Sequence, residues 1–115
     1  VAAGDGSLES NMKVTALVAS EDDLLTAIVE AAALLGWRVH HDRRSDLARQ
    51  QGHVGFPDVI AIRGGRVKAF ELKSERGQLS TDQFAWAREM PQNSHAFEYR
   101  VVRPADLDSV VESLR

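Results

Sequence analysis

Cysteine is absent from all 115 residues. Disulfides and thiolate-held metals are therefore excluded, and a reducing cytoplasm is the expected location. No apolar run approaches the ~18–20 residues needed to span a bilayer, so no membrane association is expected. Residues 1–11, VAAGDGSLESN, lack the basic-then-apolar order of a secretory signal. They open a stretch, residues 1–19, expected to be a flexible polar tail ahead of a single domain over residues 20–115. Internal repeats are missing, as are a Walker loop, a Gly-rich dinucleotide fingerprint and a Ser nucleophile elbow. His40, His41, His53 and His95 are spaced like no standard zinc site. A positive net charge is missing too: the chain carries −3, which argues against a generic nucleic-acid binder.

What is present is uneven. Residues 1–37 hold one Lys or Arg against six acids, residues 38–76 hold nine against five, and residues 77–115 hold four against six. The middle third is locally basic. A basic surface around a small acidic site suits a polyanionic substrate and a divalent cation, although surplus arginines in a solvated loop would give the same count. Hydrophobic residues make up 43% and charged residues 27%, an ordinary composition for a globular domain able to bury a core.

Periodicity gives the elements. Ser20 is placed to cap a first helix, whose apolar stripe is Leu24, Leu25, Ile28, Ala31, Ala32 and Leu35, with Gly36 as its stop. Residues 37–41, WRVHH, read as a short strand. Residues 42–55 are polar, basic and Gly-punctuated, a loop with at most one helical turn at 45–50. Residues 56–63 and 66–73 are two strands of a hairpin around Gly64-Gly65. Ser80 and Gln83 form a capping box for a second helix to Met90, with apolar contacts from Phe84, Trp86, Ala87 and Met90. Residues 96–102 form a fourth strand, and Pro104 opens a last helix with Leu107, Val110, Val111 and Leu114 inward. The order α-β-β-β-α-β-α predicts an α/β domain with a mixed sheet flanked by helices. Trp37 and Trp86 read as core.

The hairpin carries the chemistry. With Gly64-Gly65 as a two-residue turn, positions pair outward from Arg63 and Arg66, which sets Asp58 opposite Glu71 with Cβ atoms ~5 Å apart. Lys73 lies two residues on and shares that face. Two carboxyls that close repel and raise each other's proton affinity, and a divalent cation between them turns the repulsion into binding. Lys73 could offset charge on a phosphorane or orient an attacking water. A surface Glu–Lys–Asp salt-bridge patch is the plainer alternative. Val59, Ala61, Phe70 and Leu72 line one hairpin face, and Ile60, Ile62, Val67 and Ala69 share the acids' face. The sheet is therefore expected to be covered on both sides.

FPD at 56–58 followed by ELK at 71–73 resembles the PD-(D/E)XK nuclease superfamily. With SEDDLLTAIVEAAALLGWRVHH, GHVGFPDVIAI, AFELKSERGQLSTDQFAWAREM and YRVVRPADLDSVVESL, residues 20–114 look like a VRR-NUC domain. The small stand-alone members, many from phages, resemble homodimeric Holliday-junction resolvases. The resemblance implies a restriction-endonuclease-like core and a Mg²⁺-dependent endonuclease, with Mn²⁺ as substitute, acting on branched DNA. If phage-encoded, it would work in the host cytoplasm. Asp58 and Glu71 then match metal-ligating acids, the Leu72 carbonyl a further ligand, and Lys73 the catalytic lysine. Gln83 matches a recurring glutamine, beside its capping role. Glu21 matches a glutamate that reaches the metal through water, though an acid at a helix N-terminus is favourable in any case. Arg43, Arg44, Arg49 and His53 are expected to meet phosphates. A nickase, a flap nuclease or a non-catalytic DNA-binding module with the same fold are the alternatives.

Overall fold

The computed structural model describes residues 20–42 and 52–115. The one helical turn expected at 45–50 lies outside them. The elements run α1 (Glu21–Leu34), β1 (Arg38–His41), β2 (Val59–Arg63), β3 (Arg66–Leu72), α2 (Thr81–Glu89), β4 (Phe97–Val102), a 3₁₀ turn (Pro104–Asp106) and α3 (Leu107–Ser113). The order is the expected one. The second strand starts at Val59, not at Phe56, and Pro104 opens the 3₁₀ turn that leads into α3.

Each boundary has a local cause. Ser20 Oγ accepts the Asp23 N–H at 3.0 Å and starts α1, and Gly36 at φ +88° ends it. Gly64 and Gly65 have φ of +58° and +80°. Two successive positive φ values are what a tight hairpin turn matched to strand twist requires.

The four strands form one sheet in the order β1-β2-β3-β4. β1–β2 and β2–β3 are antiparallel, and β3–β4 is parallel. It is an α/β arrangement with a mixed sheet and flanking helices. α1 sends Leu24, Leu25, Ile28 and Ala32 against Val59, Ala61, Phe70, Leu72 and Val102, and α3 adds Leu107, Val110 and Leu114. One sheet face is thus the core.

The other face departs from expectation. Ile62 is 46% exposed, Ile60, Val67 and Tyr99 are only half-buried, and Phe84 of α2 is 54% exposed. The reason lies in α2, whose nine residues include none that is buried. It covers little more than the acid-bearing end of that face.

Trp37 closes the opposite end of the core. Its Nε1 donates to the Leu114 carbonyl at 2.8 Å. The Arg63 guanidinium stacks 4.5 Å from its ring centroid and donates to the carbonyls of Leu35, Leu114 and Arg115. One side chain thereby caps the C-terminal ends of α1 and α3, where a cation is favoured. Lys68 is buried on the core face and paired with Glu98 at 2.9 Å. Trp37→Phe loses one buried N–H···O bond and leaves a cavity where the indole was, and urea denaturation should register a loss of about 2 kcal/mol or more. No measurable change would mean that Arg63 alone satisfies the Leu114 carbonyl.

Candidate active site

Strand pairing runs from Arg63↔Arg66 to Val59↔Phe70 without a bulge. The next positions outward are Asp58 and Glu71. Asp58 precedes β2, and its Oδ2 accepts the Leu72 N–H at 2.8 Å. Its carbonyl accepts the Asp42 N–H at 3.2 Å, which ties the turn to the end of β1. Glu71 is 1% exposed. It lies on the face opposite Phe70 and Leu72, beneath the start of α2, whose Gln83 reaches it.

The two carboxyls are close enough to share a hydrogen bond. Burial first, then the Asp58 charge, pushes Glu71 up from 4.5 to about 8. Asp58 is also raised, chiefly by burial, and the Leu72 N–H offsets part of that. Lys73 lowers both and Glu21 raises both, so each stands within electrostatic reach of the pair. Asp58, Glu71 and Lys73 are brought to one end of the hairpin, and Glu21 stands at its edge.

Gln83 fills its expected capping role and also reaches Glu71. Its Oε1 accepts the Ser80 N–H at 2.9 Å within the capping box, and its Nε2 donates to Glu71 Oε1 at 2.8 Å. The two ends of one amide join the start of α2 to the end of β3. Gly55 permits the approach: at φ +93°, a Cβ there would lie 2.6 Å from the Asp82 carbonyl carbon. Any side chain would push α2 away and pull Gln83 from Glu71.

Lys73 is half-buried, and its N–H donates to the Val102 carbonyl at 2.9 Å. The loop behind it is fastened by Arg103, whose Nη1 donates to the carbonyls of Ser74 and Gly77, both at 2.7 Å, and Glu75 at 3.3 Å. Glu21 Oε1 accepts the Ser74 N–H at 3.2 Å. Glu21 therefore helps hold the loop rather than joining the carboxyl pair. Among the described residues no three His, Asp or Glu side chains form a ready metal-holding group.

His53 lies elsewhere. It lines a cavity of about 240 Å³ with Val54, Asp82, Ala85, Trp86 and Glu89. Trp86 donates to the Val54 carbonyl at 3.0 Å and meets Phe56 edge-on at 4.9 Å. Arg43, Arg44 and Arg49 lie outside the described residues. Sequence reasoning missed Arg103 and Tyr99. Arg103 acts through backbone carbonyls, for which no spacing pattern exists. Tyr99 alternates with Phe97 and Val101 in β4, but its closeness to the acids depends on the β3–β4 register. Burial, Glu71 and Asp58 together push its phenol up to about 12.

Comparison with protein-family models, with curated proteins and with solved structures gives no match for this chain.

The raised Glu71 predicts a stability signature. Between 4.5 and about 8 the folded chain keeps a proton that the unfolded chain has released. Stability should therefore fall as pH rises through that window and be insensitive to this group below it. Glu71→Gln should flatten the fall. Urea titrations at several pH values in chelator test this, and a wild-type slope equal to that of Glu71→Gln would mean that the pair is hydrated.

Proposed function

We propose that this chain is a divalent-metal-dependent DNA endonuclease of the VRR-NUC kind, with a restriction-endonuclease-like core. The observation that carries the reading is the unbulged hairpin that sets Asp58 against Glu71, with Lys73 beside them. Two hard oxygen donors that hold a proton in a dry place suit an ion such as Mg²⁺, with Mn²⁺ as substitute. Asp58, Glu71 and the Leu72 carbonyl would hold it, with Glu21 acting through water. The ion, when bound, supplies positive charge to the scissile phosphate and to its nucleophile. Glu71 and Asp58 must then give up the proton they share. Gln83 keeps the Glu71 carboxyl oriented by its Nε2 bond. The Lys73 ammonium offsets charge that develops on the phosphate, or orients the attacking water.

The substrate proposed is branched DNA, with the chain acting as a homodimer whose two sites cut a four-way junction in paired strands. A nickase or flap nuclease would use the same residues on another DNA shape. A non-catalytic DNA-binding module with this fold is disfavoured by the two acids and the lysine being present together. No described helix is long and apolar enough to cross a membrane.

Pure protein incubated with a four-way junction, a flap and a linear duplex, each with Mg²⁺, separates these readings. Lys73→Ala and Glu71→Ala should each slow cleavage by at least about a hundredfold while leaving DNA binding largely intact. Wild-type rates in Lys73→Ala would exclude the mechanism. Light scattering tests the dimer, and a singly nicked cruciform as end product would favour the nickase.

Arg43, Arg44 and Arg49 are proposed as phosphate contacts. Replacing all three with Ala should weaken binding and reduce the slope of log affinity against log salt by up to about three. An unchanged slope would place the DNA elsewhere.

A further inference from the structure

β4 runs parallel to β3, with Ala69 paired to Tyr99 and Glu71 paired to Val101. Odd-numbered residues of both strands point to the face that α1 and α3 leave open. Tyr99 therefore stands on the same face as Glu71, one strand over and two residues back. Ala69 between them carries only a methyl group and is itself fully buried. So small a side chain lets the Tyr99 ring lie close over the sheet beside Glu71.

The tyrosine is half-buried. Among the described residues its hydroxyl has no hydrogen-bond partner. A phenol usually finds one when it is buried for structure. The register sets it beside the acid-bearing end of the sheet, and both acids act on it electrostatically. Opposite it across the acids stands Lys73, the cation that acts on both carboxyls. A group seated over Asp58 and Glu71 would thus have Lys73 along β3 and a neutral O–H donor from β4.

We infer that Tyr99 is a substrate-contacting residue of this site, its hydroxyl donating a hydrogen bond to a non-bridging oxygen of the phosphodiester. The inference rests on the nuclease reading and extends it to a residue outside the acid–acid–lysine set. The bond strengthens as negative charge accumulates on the phosphate oxygens, so its effect falls on the chemical step more than on binding. No proton is transferred. The phenol stays protonated and acts as a fixed dipole.

The chain has a single tyrosine, so ring-labelled tyrosine gives one NMR signal. The labelled protein is titrated with a short four-way DNA junction in Ca²⁺, and the single-turnover cleavage rate of Tyr99→Phe on it is measured in Mg²⁺. The Phe variant keeps the ring and removes one oxygen, and its melting temperature serves as the control for folding. The tyrosine ζ-carbon signal should shift on binding, and Tyr99→Phe should cut at least about tenfold more slowly with affinity in Ca²⁺ within about threefold of wild type. DNA that binds and is cut with the tyrosine signal unmoved, or Tyr99→Phe cutting within about twofold of wild type, would overturn the role of Tyr99 and leave the nuclease reading standing. A wild-type protein that neither binds nor cuts DNA would remove the nuclease reading, and the inference with it.

Discussion

Two carboxyl groups that share a buried site cannot both be charged without a counter-ion, and the backbone holds Asp58 and Glu71 in that position. The hairpin register fixes them. It cannot slip to relieve them, because a one-residue shift in β3 would move Phe70 and Leu72 out of the core and onto the open face. The apolar contacts of α1 and α3 against those two residues therefore enforce the electrostatic conflict on the other side of the same strand. The same register leaves Lys73 at the strand's end, close to both acids. The core and the acid pair are set by one strand, and altering either disturbs the other.

Three further elements are fastened to this end of β3. Gln83 binds the first turn of α2 to Glu71. Glu21 binds the first turn of α1 to the loop at Ser74. Arg103, just past β4, gathers the Ser74, Glu75 and Gly77 carbonyls. All converge where the parallel strands β3 and β4 end. In open α/β sheets that edge is where ligands gather, because the chain must leave the sheet there and its loops form a rim. The acids are buried at their backs and rimmed in front by polar groups that are already hydrogen-bonded.

Much of this was legible in the sequence, because the informative contacts are local. A two-residue Gly-Gly turn determines its own pairing, so the juxtaposition of Asp58 with Glu71 follows from counting. The Ser80–Gln83 capping box is likewise contained in four residues. The open sheet face was not legible. Ile60, Ile62 and Val67 suggested a covered surface, and whether α2 covers them depends on its packing, which its nine residues do not encode strongly. The closeness of Tyr99 to the acids and the three-carbonyl anchor of Arg103 were hidden for a related reason. Both depend on how strand β4, which follows a long crossover, aligns with β3, and parallel register has no turn to fix it.

Strand β3 carries two buried ionisable groups, and the fold treats them oppositely. Lys68 has Glu98 as its register partner on β4 and is neutralised at 2.9 Å. Buried charges are tolerated when paired in this way. Glu71 has apolar Val101 beside it on β4 and an acid, Asp58, on its other side. Among the described residues its direct side-chain nitrogen donor is a neutral amide, and Lys73 only partly offsets the shift. The neighbouring strand was able to supply Lys68 with a counter-charge, so geometry does not forbid one at Glu71. Had stability alone shaped this end of the strand, an apolar residue at position 71 would serve better, as the rest of β3 illustrates. A buried acid beside a second acid, oriented by an amide, is an arrangement that positive charge from outside the chain would relieve. That arrangement is the physical ground for reading the pair as a site for a cation and a phosphate rather than as a surface salt-bridge patch.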